Sequence, residues 1–260
     1  MRSEDIFKLL NKISPERFAL DWDNSGLLVG NREKEIKTIY IALDATDDVI
    51  KEAIQKKADL LITHHPLIFR EQKSVTSDTF IGRRIMRLIQ NDITYYAMHT
   101  NFDISIMAGL AAEQIGLSDI KVLDVFFQES GRDLGMGCIG TFSTSHTILG
   151  CCEMIKSEFE IPNVKVFGEL HQNVTRVAIV PGSGKNEVEA AIKAKAEVLI
   201  TGDVDHHTGI DALARGLAVL DAGHYGLEHL FVNFLQQYLK QNCKDISVIA
   251  REHIIPFQIV

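Results

Sequence analysis

The chain is short of several things, and each shortage excludes something. Five prolines in 260 residues, with no Pro- or Ser-rich stretch, leave no evident linker. No run approaches the roughly 18–20 apolar residues that cross a bilayer. The start, Met1-Arg-Ser-Glu-Asp-Ile-Phe-Lys-Leu-Leu10, lacks the basic opening, apolar stretch and small-residue cleavage site of a secretory leader, so a cytoplasmic protein is expected. Basic charge is also scarce: 27 Lys and Arg stand against 35 Asp and Glu, a net charge of −8 that disfavours a nucleic-acid binder, which needs a basic face to displace phosphate counterions. The four cysteines (Cys138, Cys151, Cys152, Cys243) form no Cys-x-x-Cys motif and read as core-filling free thiols of a reducing compartment. A 46% hydrophobic and 24% charged composition then leaves an ordinary globular chain, large enough for one large or two small domains.

What is present is a set of imidazoles and carboxylates at the ends of short apolar runs. Asp59-Leu-Leu-Ile-Thr63 has strand length and delivers His64-His65 before Pro66 ends regular structure. Tyr95-Tyr-Ala-Met98 delivers His99-Thr-Asn-Phe-Asp103, and Leu217-Ala-Val-Leu220 delivers Asp221-Ala-Gly-His224. The spacing of Leu227, Leu230, Phe231, Phe234, Leu235 and Tyr238 predicts a helix there, on which His224 and Glu228 share a face one turn apart. Open α/β sheets place ligands at the C-terminal ends of strands. Mixed imidazole and carboxylate donors suit Zn, Fe, Mn, Co or Ni. His64, His65, Asp103, His224 and Glu228 exceed what one four-coordinate ion with an open position needs, which makes two divalent ions plausible.

An internal repeat supports the same reading. Ala53-Ile-Gln-Lys-Lys-Ala-Asp-Leu-Leu-Ile-Thr63 aligns without a gap on Ala191-Ile-Lys-Ala-Lys-Ala-Glu-Val-Leu-Ile-Thr201, with seven identities in eleven positions. Each copy reads as the end of a helix followed by a strand, and each is preceded by another strand, Thr38 to Leu43 or Arg176 to Val180. That is the βαβ unit of a parallel or mixed sheet. The expected fold is therefore α/β, with duplicated halves whose mixed sheets are flanked by helices. A first lobe over 1–125 would carry His64, His65 and Asp103, and a second over 126–260 would carry His224 and Glu228. Pseudo-symmetry would bring the His64-His65, His99–Asp103, Gly202–His207 and Asp221–Glu228 loops to one cleft. Between the repeats, the glycines of Lys121 to Glu169 predict a hairpin or edge strands, then a helix over Ile148–Phe159.

The chain resembles the type 2 homologues of GTP cyclohydrolase 1, also called the NIF-three-like family, over nearly its whole length. The resemblance rests on Trp22-Asp-Asn-Ser-Gly-Leu-Leu-Val-Gly30, Leu61-Ile-Thr-His-His-Pro-Leu67, His99-Thr-Asn-Phe-Asp103, Thr201-Gly-Asp203 with His206-His207, and Asp221-Ala-Gly-His224 with Glu228. It implies a dinuclear centre, one ion held by His64, Asp103 and Glu228 and the other by His65, His224 and the shared Glu228. It also implies a toroidal homohexamer with its sites facing an inner cavity. At 260 residues there is no room for the middle domain of the longer members.

Two ions would lower the pKa of water toward neutrality, so hydrolysis of a small-molecule substrate is the natural output. With GTP, water added at C8 of the purine would lead to ring opening and loss of formate, steps that need a proton donor. His99, His206 and His207 are the candidate catalytic residues, because imidazole exchanges protons near pH 7. Asp203, Asp205 and Asp221 are expected to support ligands from behind. Val180-Pro-Gly-Ser-Gly-Lys185 reads as a tight strand-to-helix turn more than as a phosphate cradle, since Ile179 stands where a Walker A loop needs its first glycine. The competing reading is a metal-handling or regulatory interaction protein that uses the same ligands without turnover.

Overall fold

The computed structural model describes residues 1–259 and shows two compact units. The first combines Met1–Ser105 with Phe231–His253, and the second combines Ile106–Leu230 with the segment from Ile254 onward. The division differs from a single cut near residue 125, because the chain returns at its C-terminal end to complete the first sheet.

In the first unit the central strands β2 (Thr38–Ala42), β3 (Leu60–Thr63) and β4 (Thr94–Ala97) run parallel. On one edge β1 (Gly26–Val29) pairs antiparallel with β4, and on the other β11 (Ser247–Ala250) pairs parallel with β2. Every residue of β3 and β4 is buried, as expected of parallel strands covered on both faces. The strands are joined by α2 (Asp47–Gln55) and α3 (Phe80–Gln90), each begun by a threonine whose hydroxyl accepts a backbone N–H of the first turn: Thr46 from Val49 at 3.3 Å and Thr79 from Gly82 at 3.0 Å. The other helices are α1 (Ser3–Ile13) and α10 (Leu230–Asn242), held to each other by Tyr238, whose hydroxyl donates to the Leu9 carbonyl at 3.0 Å.

The second unit repeats the plan. Strands β8 (Asn173–Ser183), β9 (Val198–Gly202) and β10 (Ala218–Asp221) are parallel, with α7 (Val188–Lys193) and α8 (His206–Ala214) as connections. The short β7 (Lys165–Phe167) lies antiparallel on β10, as β1 lies on β4. On the far side β6 (Arg132–Thr147) and β5 (Ser118–Glu129) extend the sheet through a hairpin that turns at Ser130 and Gly131, both at positive φ. The helix α6 (Ile148–Glu158) follows, capped by the Thr147 hydroxyl at 3.0 Å from the Gly150 amide. Both the hairpin and the helix fall where the glycine pattern and apolar run predict them. Cys138, Cys151 and Cys152 lie in this unit's core, where burial pushes the Cys138 thiol up to about 12. All four cysteines are buried free thiols.

The duplication extends to single atoms. Lys57 and Lys195, aligned in the repeat, both adopt left-handed φ (53° and 57°) just past their helices. The next residues close the same bond, Ala58 N to Ala53 O and Ala196 N to Ala191 O, each 2.9 Å. The following acids also act alike. Asp59 Oδ2 accepts from the Lys37 and Thr38 amides at 2.8 and 2.9 Å, and Glu197 Oε2 accepts from the Thr175 and Arg176 amides at 2.6 and 2.8 Å. Each carboxylate ties the start of the preceding strand to the end of the helix–strand turn, so the repeat preserves a strand clamp as well as an apolar pattern.

Among the described residues, no helix is long and apolar enough to cross a membrane. Replacing Asp59 or Glu197 with Ala is expected to lower unfolding free energy by about 1 kcal/mol each, the worth of hydrogen bonds to a charged group in water-exposed surroundings. Urea titration measures both, and an unchanged midpoint in either variant would show that its clamp carries no stability.

Candidate metal centre

The first unit's donors emerge from the ends of β3 and β4. His64 N and His65 N both donate to the Leu43 carbonyl, at 3.1 and 3.0 Å, so the end of β2 fixes the backbone of the pair. The Tyr95 hydroxyl grips the same turn, accepting from the Leu67 amide at 2.8 Å and donating to the His65 carbonyl at 3.0 Å. Past β4, α4 (Thr100–Phe102) widens into a π-helical turn over Asp103–Met107 before α5 (Ala108–Gln114). Such bulges re-aim a side chain, and here the first widened residue is Asp103.

The rings are held from behind. His64 Nδ1 lies 2.7 Å from the Met98 carbonyl, His65 Nδ1 lies 2.8 Å from Asp44 Oδ1, and His99 Nδ1 lies 2.7 Å from Asp23 Oδ1. A carbonyl can only accept, and so can an ionised carboxylate, so the proton sits on Nδ1 and Nε2 carries the ligating lone pair. His64, His65 and His99 each offer a ring nitrogen within 4.8 Å of the others, a group that could hold a metal ion. The buried His64 also presents Nε2 to Asp103 Oδ1 at 3.4 Å.

The second unit builds a related group of its own. His224 starts α9 (His224–Glu228), its Nδ1 is held by Asp203 Oδ2 at 2.9 Å, and its Nε2 faces Glu228 Oε2 at 3.0 Å, one helical turn on. Glu228 is almost fully buried, and Gly182 makes room for it: a Cβ there would stand 2.4 Å from Glu228 Oε1. In both units an imidazole nitrogen faces a carboxylate oxygen, two Lewis bases that a shared cation reconciles. The donor set therefore fits a divalent first-row ion.

His206 and His207 stand exposed in the first turn of α8, whose cap is Asp205, accepting from the Thr208 amide at 3.0 Å. Among the described residues, neither ring has a hydrogen-bond anchor of the kind that holds His99. Asp221 supports the loop, accepting from the Val204 and Gly223 amides at 3.0 and 3.1 Å and pairing with Lys165 at 2.8 Å. In the Val180–Lys185 segment β8 runs on to Ser183 and a 3-10 turn begins at Lys185; the Gly184 amide between them donates to the Thr201 hydroxyl at 2.8 Å, and α7 beyond is six residues long.

Sequence reasoning missed Asp44 and the role of Asp23. Asp44 follows β2 at the same rim, and that position was the one available signal. Asp23 sits in the Trp22–Gly30 segment, which enters the sequence reading only through the resemblance, yet its carboxylate is fully buried beside His99. Burial works to raise the Asp23 carboxyl, but the hydrogen bond and charge of His99, with Thr100 and Ser25, hold it well below the usual carboxylate range. A depressed folded-state value contributes stability that is present above the ordinary carboxylate range and is lost as pH falls through the folded value. Asp23→Asn is thus expected to cost about 1.5–3 kcal/mol at pH 7, with the gap to the parent narrowing below about pH 4. Unfolding at both pH values measures it, and a gap independent of pH would assign the cost to packing instead. Asp44→Asn and Asp203→Asn are each expected to weaken divalent-metal affinity about 10- to 100-fold by calorimetric titration. Unchanged affinity would separate these carboxylates from metal binding.

The comparisons agree with this fold. The model of the Duf34/NIF3 (NGG1p interacting factor 3) family matches residues 1–255. A protein of Clostridium perfringens named GTP cyclohydrolase 1 type 2 homolog is 36% identical over 265 residues, covering 100% of both chains. The Staphylococcus aureus protein SA1388 is 29% identical with a TM-score of 0.89, covering 100% of this chain and 99% of that one. A Bacillus cereus protein related to NIF3 shares the fold at a TM-score of 0.94 and 24% identity, over 100% of this chain and 99% of that one. With a family model matched across nearly its whole length and a curated relative matched end to end, the chain belongs to the Duf34/NIF3 (NGG1p interacting factor 3) family.

Proposed function

We propose that the chain is a divalent-metal-dependent hydrolase of small heterocyclic or nucleotide substrates. His64, His65 and Asp103 of the first unit and His224 and Glu228 of the second would hold two ions, with Glu228 shared. The observation that carries this reading is the common construction of the donors: His64, His65 and His224 each have Nδ1 fixed by an oxygen, and His64 and His224 each present Nε2 to a carboxylate. Divalent ions there would supply Lewis acidity and lower the pKa of water toward 7.

The chain's own residues would do the rest. Met98, Asp44 and Asp203 hold the imidazoles in one tautomer and direction. His99, its Nδ1 fixed by Asp23, would take up a proton at Nε2 from the attacking water and pass it to a leaving nitrogen. That anchoring favours it over His206 and His207, which are exposed. Applied to GTP, as the relatives' name suggests, the reaction would add water at C8, open the imidazole ring and release formate. A homohexamer in the cytoplasm, with no membrane or nucleic-acid partner, completes the proposal.

The test is elemental analysis of protein purified without chelator, beside Glu228→Gln, with formate release from GTP followed for both. About two ions per subunit and metal-dependent formate are expected, with metal content reduced and turnover at least about 100-fold lower in the variant. Two ions without formate would discard GTP and move the assignment to metal handling; no metal after reconstitution would overturn the reading.

A further inference from the structure

The sole tryptophan of the chain, Trp22, is more than half exposed, and so nearly is Phe69. Single exposed apolar residues are ordinary. These two are not single. The Trp22 and Phe69 ring centroids are 5.8 Å apart, and both rings stand steeply against His99, at 5.9 and 6.3 Å. The loops that carry them are tied together, since Asn24 Nδ2 donates to the Ile68 carbonyl. Asp23, between Trp22 and Asn24, anchors His99 and also accepts from the Thr100 amide and hydroxyl. An aromatic corner is thus braced against the His64–His65–His99 group, with His99 common to both.

We infer that Trp22, Phe69 and His99 form a recognition corner for a planar heteroaromatic ring, which lies on the indole face with its edge toward the imidazole nitrogens. The inference rests on the hydrolase reading and names its substrate class. Centroid spacings near 6 Å with steep interplanar angles leave no slot between parallel walls, so the ring stacks on one face while the second aromatic closes its side. Aromatic corners also accept quaternary ammonium groups. Here His99 belongs to the His64–His65–His99 group that could hold a metal ion, and the charge of such an ion would repel an ammonium and attract the lone pairs of a heterocycle's edge. Trp22 and Phe69 are specificity-determining residues in this assignment, and His99 keeps its role in proton transfer.

Trp22 provides its own readout, being the only indole. GMP, inorganic phosphate and tetramethylammonium are titrated separately against the purified protein while Trp22 emission is followed, and GMP is also titrated calorimetrically into Trp22→Ala. Saturable quenching by GMP alone is expected, weakened about tenfold or more in Phe69→Ala, with a similar loss in Trp22→Ala, the worth of one base–aromatic stack. Equal quenching in Phe69→Ala, absence of saturable quenching, or quenching by phosphate or tetramethylammonium as strong as by GMP would overturn the corner. So would emission that responds only to protein concentration, which would mean that a second copy covers Trp22. The two readings fail separately: GMP quenching with no formate from GTP removes GTP hydrolysis and keeps the corner, whereas formate release with an unchanged KM in both variants does the reverse.

Discussion

The site depends on how each imidazole is held from behind. A histidine ring can rotate and exchange tautomers, and a ligand free to do either binds an ion weakly. Here Met98, Asp44, Asp23 and Asp203 each place an oxygen within hydrogen-bond reach of a different Nδ1. One oxygen per ring settles tautomer and direction together. In the first unit His64, His65 and His99 then each offer a ring nitrogen within 4.8 Å of the others, an arrangement that a cation would stabilise.

Three of those oxygens are themselves placed by strands. Met98 follows β4, Asp44 follows β2, and Asp203 follows β9, so each anchor rides on a neighbour of the strand that delivers the histidine or on that region of the sheet. Parallel pairing brings all these ends to one rim of each sheet. The clamps at Asp59 and Glu197 act at the opposite ends of the same strands, setting register where no ligand needs room. Stability is concentrated at one rim of each sheet and chemistry at the other.

The aromatic corner adds a different kind of constraint. Trp22 and Phe69 remain exposed at a real cost in apolar hydration. Exposed aromatic surface braced by a buried carboxylate network is a form of preorganisation, because the walls do not have to be ordered when a ring arrives.

What the sequence determined by itself was local and periodic. Apolar runs of strand length, a seven-in-eleven repeat and the spacing of His224 and Glu228 are written in order along the chain, so the duplicated α/β fold and the donors at strand ends were legible. The tertiary structure decided what depends on partners far apart in sequence. Asp23 reaches His99 across 76 residues and Asp44 reaches His65 across 21, and no periodicity records such pairs. The return of Phe231–His253 to the first unit likewise follows from β11 pairing with β2, a choice made by an open sheet edge rather than by any local signal. Trp22 shows the same limit: it lies 47 residues before Phe69 and 77 before His99 in sequence, and only folding sets it next to them.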